Sequence, residues 1–367
     1  MHHSSFSPFV SQSEFDDGLL LRRTPQVGGG EDRHFQESQN TGINQVGSAM
    51  RILIVRFKSL GDIFLSLPLA LELAQRISKA RVEVVVDEQY GGLPERYDFL
   101  ERVWSRPSAW FARGALARVL RGGFDLAIDL QGTPASAVFA RLAARKVLGF
   151  PGKRFSFLYD WTSPAMSEDT HTIEGNLAFL RYFGEEPPEG RIPPVASDER
   201  YEKELRERFG GEFTLIHPGG RFAHKRYPRE RFRRIAEWLR EKGRRPVVLL
   251  GPDEAGDVSC WSHYDRLEDV SPDRLGPLMR AASLFIGNDS GPAHIAAAAG
   301  IPTVVIFGPT NRFRWSPRGN AVRVVSALCR CPPGWAKPCL HPEQWCLGRL
   351  PVEEVLRAVE DLGRKKL

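Results

Sequence analysis

The sequence predicts an α/β protein made of two Rossmann-like halves. Three observations predict it. Short apolar runs alternate with amphipathic helical stretches from Arg51 onward, the pattern of a mostly parallel sheet covered on both faces. The chain has 367 residues, too many for one ordinary core and about right for two domains. A charged, proline-rich connector, EEPPEGRIPP from Glu185 to Pro194, separates two such alternating series.

Residues 1–49 carry no sustained periodicity. They hold Gly28-Gly29-Gly30 and many Ser and Gln, and are expected to be a disordered extension. The first domain is expected over 50–195. Its strands are Ile52–Val55, Val82–Val86, Phe124–Leu130 and Lys146–Phe150. Its helices are Phe64–Ile77, with Pro68 in the first turns, a basic helix around Ala115–Arg121, and Ala135–Arg145. The second domain is expected over 196–350. Strands at Phe213–His217, Pro246–Leu250, Leu284–Gly287 and Thr303–Phe307 alternate with helices at Asp198–Phe209, Arg229–Lys242, Pro272–Ala282 and Gly291–Ala299. A terminal helix, Val352–Leu362, closes the chain within a last segment, 351–367. No close sequence repeat links the halves.

Composition excludes several classes. Hydrophobic residues make up 42%, enough for a globular protein and too little for a membrane-spanning one. The longest apolar stretch, His294–Gly308, is broken by Gly300 and Pro302 and reads as a buried helix followed by a strand. The first 30 residues show no basic start followed by an apolar run, so a cytoplasmic protein is expected. The formal charge of +6 is an ordinary solubility charge. It also suits an anionic substrate, or peripheral contact with an anionic inner-membrane surface. The basic residues are scattered without an aromatic-interleaved stripe, which argues against nucleic acid. Cys329, Cys331, Cys339 and Cys346 cluster late in the chain. Their spacing lacks paired C-x-x-C knuckles, so no metal site is expected there.

Ligands of open α/β sheets bind beyond the carboxyl ends of the strands, so the loops after strands carry the chemistry. The first is SLGD, Ser59–Asp62. Asp62 reads either as a helix N-cap or as a general base at a cleft. The second is HPGGRFAHKRYP, His217–Pro228. The backbone N–H groups of Gly219 and Gly220 and the Lys225 ammonium suit phosphate oxygens, although a solvated basic loop explains the same residues. The third is GNDSGPAHIAAAAG, Gly287–Gly300. Asp289, Ser290 and Gly291 open an alanine-rich helix whose free N–H groups and dipole favour an anion. His294 lies one turn in. The fourth is FGPTNRFRWSP, Phe307–Pro317, which alone is only loop chemistry. GPDEAGDV, Gly251–Val258, adds a carboxylate pair after a strand, where an acid accepts ribose hydroxyl hydrogen bonds or belongs to the acid-rich start of a helix.

These loops in this order resemble glycosyltransferase family 9, the ADP-heptose:lipopolysaccharide heptosyltransferases. The carrying segments are MRILIVRFKSLGDIFLSLP, FDLAIDLQG, HPGGRFAHKRYP, LFIGNDSGPAHIAAAAGIPTVVIFGPT and the late cysteine loop. The resemblance implies the GT-B fold, two Rossmann-like domains facing across a cleft, with the last helix crossing back to the first domain. It implies an acceptor-binding first half and a second half that takes the nucleotide-sugar donor. The implied reaction is inverting transfer of a heptose or related sugar to a saccharide or glycolipid acceptor, without a cofactor or a metal-binding DxD motif. Asp62 matches the family's catalytic aspartate. Lys225 matches its diphosphate-contacting lysine, and Asp289, Ser290, Gly291 and His294 match its donor loop. Glu254 lies where the family has an acid near the adenosine ribose. One departure stands out: the family's Lys-x-Trp-Pro is Lys225-Arg226-Tyr227-Pro228 here. Two alternatives remain: a nucleotide-sugar epimerase or other-donor transferase of the same fold, or a nucleotide-binding scaffold without turnover.

Overall fold

The computed structural model describes residues 49–107, 119, 121, 123–327, 329 and 345–364. The expected N-terminal extension up to residue 48, most of the expected helix around Ala115–Arg121, Cys331 and Cys339 lie outside the described residues.

Two six-stranded sheets form the framework. The first contains β1 (Met50–Val55), β2 (Ala80–Asp87), β3 (Arg102–Arg106), β4 (Phe124–Asp129), β5 (Ala144–Gly149) and β6 (Trp161–Thr162). The second contains β7 (Thr214–His217), β8 (Pro246–Leu250), β9 (Asp265–Glu268), β10 (Leu284–Asn288), β11 (Thr303–Phe307) and β12 (Val322–Ser326). Every ladder is parallel. The orders are β3-β2-β1-β4-β5-β6 and β9-β8-β7-β10-β11-β12, so the halves repeat one doubly wound topology. Each reverses its winding at a central pair, β1/β4 or β7/β10, the place where such sheets open a crevice.

The central strands are apolar runs buried on both faces, as in ILIV of β1 and TVVIF of β11. The four strands not expected from the sequence, β3, β6, β9 and β12, are the four sheet edges. Their sequences RVWSR, WT, DRLE and VRVVS are largely half-exposed or exposed. An edge strand is covered on fewer sides and has no need of a continuous apolar run.

One sequence expectation about the helices is corrected. The helix expected over Phe64–Ile77 is two helices, Leu60–Phe64 and Leu67–Arg76, separated at Leu65-Ser66. Pro68 has no N–H to continue the first helix but suits the opening turn of the second. The terminal helix expected to cross back to the first domain runs over Val352–Arg364 among the described residues. It packs on β11, β12 and the helix Arg229–Glu241. Val352, Val355, Val359 and Leu362 share a core cluster with Ile235, Leu239, Val304 and Ile306 of the second half.

A larger core cluster joins the halves. It runs from Ile54, Leu69 and Leu73 to Phe213, Phe285 and Phe307. A separate cluster, with Leu53, Val55, Phe124, Ala127, Phe139, Ala140 and Val147, covers the other face of the first sheet under the helix Pro134–Ala143.

Candidate active site

The turn after β1 places Asp62. Ser59 is the N-cap of the helix Leu60–Phe64, and Asp62 is its third residue. The capping expectation for Asp62 is therefore corrected. Its Oδ2 reaches back to the cap residue, accepting from Ser59 Oγ at 2.9 Å and Ser59 N at 3.3 Å. Its Oδ1 lies 2.6 Å from Nη2 of Arg56. Arg56 follows β1 directly, and its Nη1 donates to Leu130 O beyond β4. Register explains the reach: Val55 pairs with Asp129, so Arg56 and Leu130 leave the sheet at one level. Lys58 N donates to Gln131 Oε1 at 3.1 Å, a second tie between the two turns.

Asp129, at the end of β4, is fully buried. Its Oδ1 accepts from Gln131 N and Gly132 N, both at 3.0 Å, and its Oδ2 from Ser136 Oγ at 2.9 Å and Tyr159 OH at 2.8 Å. Burial pushes this carboxyl above the usual carboxylate range, and the four hydrogen bonds oppose the shift.

The second half meets this turn glycine to glycine. A Cβ on Gly291 would lie 2.9 Å from Gly61 N, and one on Gly61 would lie 3.2 Å from Gly291 Cα. No side chain fits at that approach. The helix Leu60–Phe64 therefore packs on the start of the helix Gly291–Ala298. Ser290 caps that helix by position only, since its hydroxyl donates to Asn288 O at 3.2 Å. The first N–H groups and the positive end of the dipole remain available to an anion. Asp289 keeps an exposed edge, yet burial raises its carboxyl. The charge of Lys225 opposes that shift, and the charge of Asp62 adds to it. The charges of Lys225 and Asp62 thus both reach Asp289.

His294 is buried. Its Nδ1 has no hydrogen-bond partner among the described residues. Burial, then His171, depress its pKa to about 4, with Asp62 opposing. His171 comes from the first half. Its Nδ1 accepts from Ile173 N, and its Nε2 pairs with Ser316 O at 2.9 Å, so Nε2 carries the proton. The loop after β11 reaches the same stretch, because Asn311 Nδ2 donates to Asp169 Oδ1 at 2.9 Å.

The glycine loop after β7 has a built support. A Cβ on Gly219 would lie 2.5 Å from the carboxylate of Glu254. Glu254 is buried and accepts from Gly251 N at 2.8 Å and Gly220 N at 3.2 Å. Its Oε1 also lies 3.5 Å from Nη2 of Arg226. The Gly220 N–H expected for phosphate is therefore engaged, and both oxygens of Glu254 hold backbone. Asn288 locks the loop from the other side. Its Nδ2 donates to Pro218 O at 2.8 Å and Gly219 O at 2.9 Å, and its Oδ1 accepts from Tyr227 N at 2.9 Å. Tyr227 is a buried anchor, its hydroxyl donating to Leu350 O at 3.0 Å. Lys225 stands over the ring of Phe222, 5.7 Å from its centroid.

The turn of Asp62 thus meets Gly291 and His294, and Asp289 and Ser290 lead directly into that helix. The charge of Lys225 reaches Asp289, and Gly219 and Gly220, braced by Glu254, form the loop from which Lys225 comes. Sequence reasoning missed Arg56, Asp129, His171 and Asn288. For Asp129 and Asn288 a signal exists, a polar residue ending an otherwise apolar strand, as in LAID and LFIGN. Arg56 and His171 carry none, because their ties to Leu130 and Ser316 cross to distant segments.

A family model described as glycosyltransferase family 9 (heptosyltransferase) matches residues 113–344. The chain is 22% identical over 342 residues to lipopolysaccharide heptosyltransferase 1 of Campylobacter coli, covering 85% of this chain and 99% of that protein. It is 28% identical over 268 residues to lipopolysaccharide heptosyltransferase 3 of Escherichia coli strain K12, covering 68% of this chain and 77% of that one. Among solved structures, E. coli heptosyltransferase WaaC with ADP has a TM-score of 0.67 at 21% identity, over 85% of this chain and 100% of that chain. This structural likeness carries the GT-B architecture. No helix among the described residues is long and apolar enough to cross a membrane.

Proposed function

The chain belongs to glycosyltransferase family 9, and on that premise we propose that it moves a heptose from ADP-heptose to a saccharide of the lipopolysaccharide core. The reaction takes place at the cytoplasmic face of an inner membrane. Support for the sugar and the acceptor comes from the named relatives, lipopolysaccharide heptosyltransferases 1 and 3. Support for the adenine nucleotide comes from the similar fold solved with ADP.

In this proposal the acceptor hydroxyl attacks the anomeric carbon opposite the diphosphate, and configuration inverts. The new C–O bond forms as the bond to the β-phosphate oxygen breaks. Asp62 takes the hydroxyl proton, steadied by Arg56 and Ser59. Lys225 and the start of the helix Gly291–Ala298 hold the charge growing on the departing ADP. Asp289, two residues before that helix, takes sugar hydroxyls. The loop of Gly219 and Gly220, braced by Glu254 and Asn288, forms the nucleotide wall. The observation that carries this reading is the contact of Gly61 with Gly291, which sets a carboxylate beside an anion-binding helix start.

The test is mass spectrometry of purified protein with a panel of nucleotide sugars and lipopolysaccharide acceptors lacking outer heptoses. ADP-heptose should give an acceptor heavier by one heptose, plus ADP. Product only with a uridine donor would sink the donor assignment. Conversion of donor without any acceptor would point to an epimerase, and ADP binding without turnover to a scaffold.

A further inference from the structure

The helix Pro134–Ala143 follows β4 and covers the face of the first sheet away from the core that joins the halves. Its inner residues, Ala137, Phe139, Ala140 and Ala143, are buried. Its outer face would be polar if water were its only neighbour. Instead Val138 is 48% exposed and Leu142, one turn later on the same stripe, is 61% exposed. The turn Ser156–Leu158 packs against this helix and carries Phe157, 81% exposed. These three are half of the large apolar residues exposed in the described protein, gathered on one element and its neighbouring turn. Basic residues flank them. Lys153 and Arg154 are exposed just before the turn, and Arg145 is exposed just after the helix. The nearby acid Asp160 is paired with Arg141 at 2.7 Å, and Asp125 lies 3.9 Å from Arg145.

We propose that Val138, Leu142 and Phe157, with Lys153, Arg154 and Arg145, form a surface that docks on an anionic lipid bilayer. Exposed aliphatic and aromatic side chains gain by entering the headgroup boundary, and each flanking cation adds attraction to anionic headgroups. Charge complementarity selects a membrane over a second copy of the chain, whose identical patch would set cations against cations. The surface adjoins the catalytic turns: the helix begins directly after the Gln131-Gly132 turn, and Lys153 Cε lies 3.5 Å from where a Cβ on Gly132 would stand. It rests on the transfer reading only in that a glycolipid acceptor would arrive from that bilayer.

Flotation of the full chain with vesicles of phosphatidylethanolamine and phosphatidylglycerol tests this, with phosphatidylcholine vesicles beside them. No sugar donor or acceptor is present, so the result is independent of the transfer reaction. The protein should float with the anionic vesicles and much less with the neutral ones, and lose binding as salt rises. Leu142→Ser with Phe157→Ser should lower partition at least tenfold while ADP binding and the melting temperature stay unchanged. Arg145→Glu with Arg154→Glu should abolish the preference for anionic vesicles. Failure of the unaltered protein to float, or equal flotation of the serine double variant, would overturn the proposal. So would a dimer in sedimentation that the same double variant dissolves without any vesicle binding, since the patch would then face a second copy.

Discussion

The two halves share one sheet order yet solve the winding reversal in opposite directions. In the first half the strand pair is β1/β4, and Arg56 after β1 reaches across to the carbonyl of Leu130 after β4. In the second half the pair is β7/β10, and Asn288 ending β10 reaches back to the carbonyls of Pro218 and Gly219 after β7. The buried polar residue at the equivalent place in the first half is Asp129, which accepts four hydrogen bonds from its own turn, its helix and Tyr159. A carboxylate can only accept, whereas an amide accepts and donates. The first half therefore closes its β4 turn on itself, leaving the β1 turn to a guanidinium that also holds Asp62. The second half ties two loops into one rigid wall. One crevice is built around a carboxylate, the other around backbone amides and a lysine.

The largest effect should come from emptying the first crevice of its charge. Asp62→Asn should lower kcat about 10³-fold, within the range of general-base losses. ADP binding by calorimetry and the melting temperature should stay near those of the unaltered protein. A matching loss of folding would mean that Asp62 serves only the helix start. Lys225→Ala removes charge from the second crevice. It should lower kcat/KM about 10²-fold and weaken ADP binding, which Asp62→Asn should not do. Equal effects of the two on ADP binding would erase the division of labour.

Exchanging the buried polar residues probes the walls themselves. Asn288→Asp turns two donated hydrogen bonds into contacts of a carboxylate with carbonyl oxygens. It should cost about 3–5 kcal/mol in urea unfolding at neutral pH. Its carboxyl would have a folded pKa above the unfolded one, so the lost stability should return as pH falls. Asp129→Asn keeps an oxygen for Gln131 N and Gly132 N. Its new amide faces hydroxyls that can turn to accept, so the cost should be about 1 kcal/mol. Similar costs for both would contradict the asymmetry.

The effect confined to acid concerns the junction. His294 is neutral in the fold, with its pKa pushed down to about 4 by burial. An unfolded histidine titrates near 6.5, so the unfolded chain binds more protons between those values. Stability should be unaffected above about pH 6.5 and decline as pH falls, by about 3 kcal/mol when His294 titrates fully. His171, also lowered by burial, adds in the same direction. Urea midpoints at neutral and acidic pH read the slope, and His294→Leu should reduce it to the combined share of the other groups shifted by burial, His171, His217, His224, Asp129 and Asp289. An unchanged slope would place the acid sensitivity elsewhere.

Much of the fold was legible. The strands of the sheet interiors match their apolar runs, β8 and β11 end to end, because burial on both faces demands unbroken apolar sequence. The edges were not legible, since RVWSR and DRLE look like surface. The candidate site was legible as separate loops, for a glycine or an acid between an apolar strand and a helix is a local signature. Glu254 shows the limit. Its position suggested a ligand contact, and that its oxygens also hold Gly251 and Gly220 only the folded loop reveals.

The sequence alone determined the α/β class, the two halves, the family resemblance and the loops that carry the chemistry. Each rests on residues adjacent in the chain, where periodicity and turn chemistry act. Only the tertiary structure decided that Gly61 meets Gly291, that Arg56 holds Asp62 while gripping Leu130, and that the terminal helix packs on β11 and β12. Those outcomes depend on strand order and on which face each helix covers. They join residues dozens to hundreds of positions apart, and no local pattern encodes that distance.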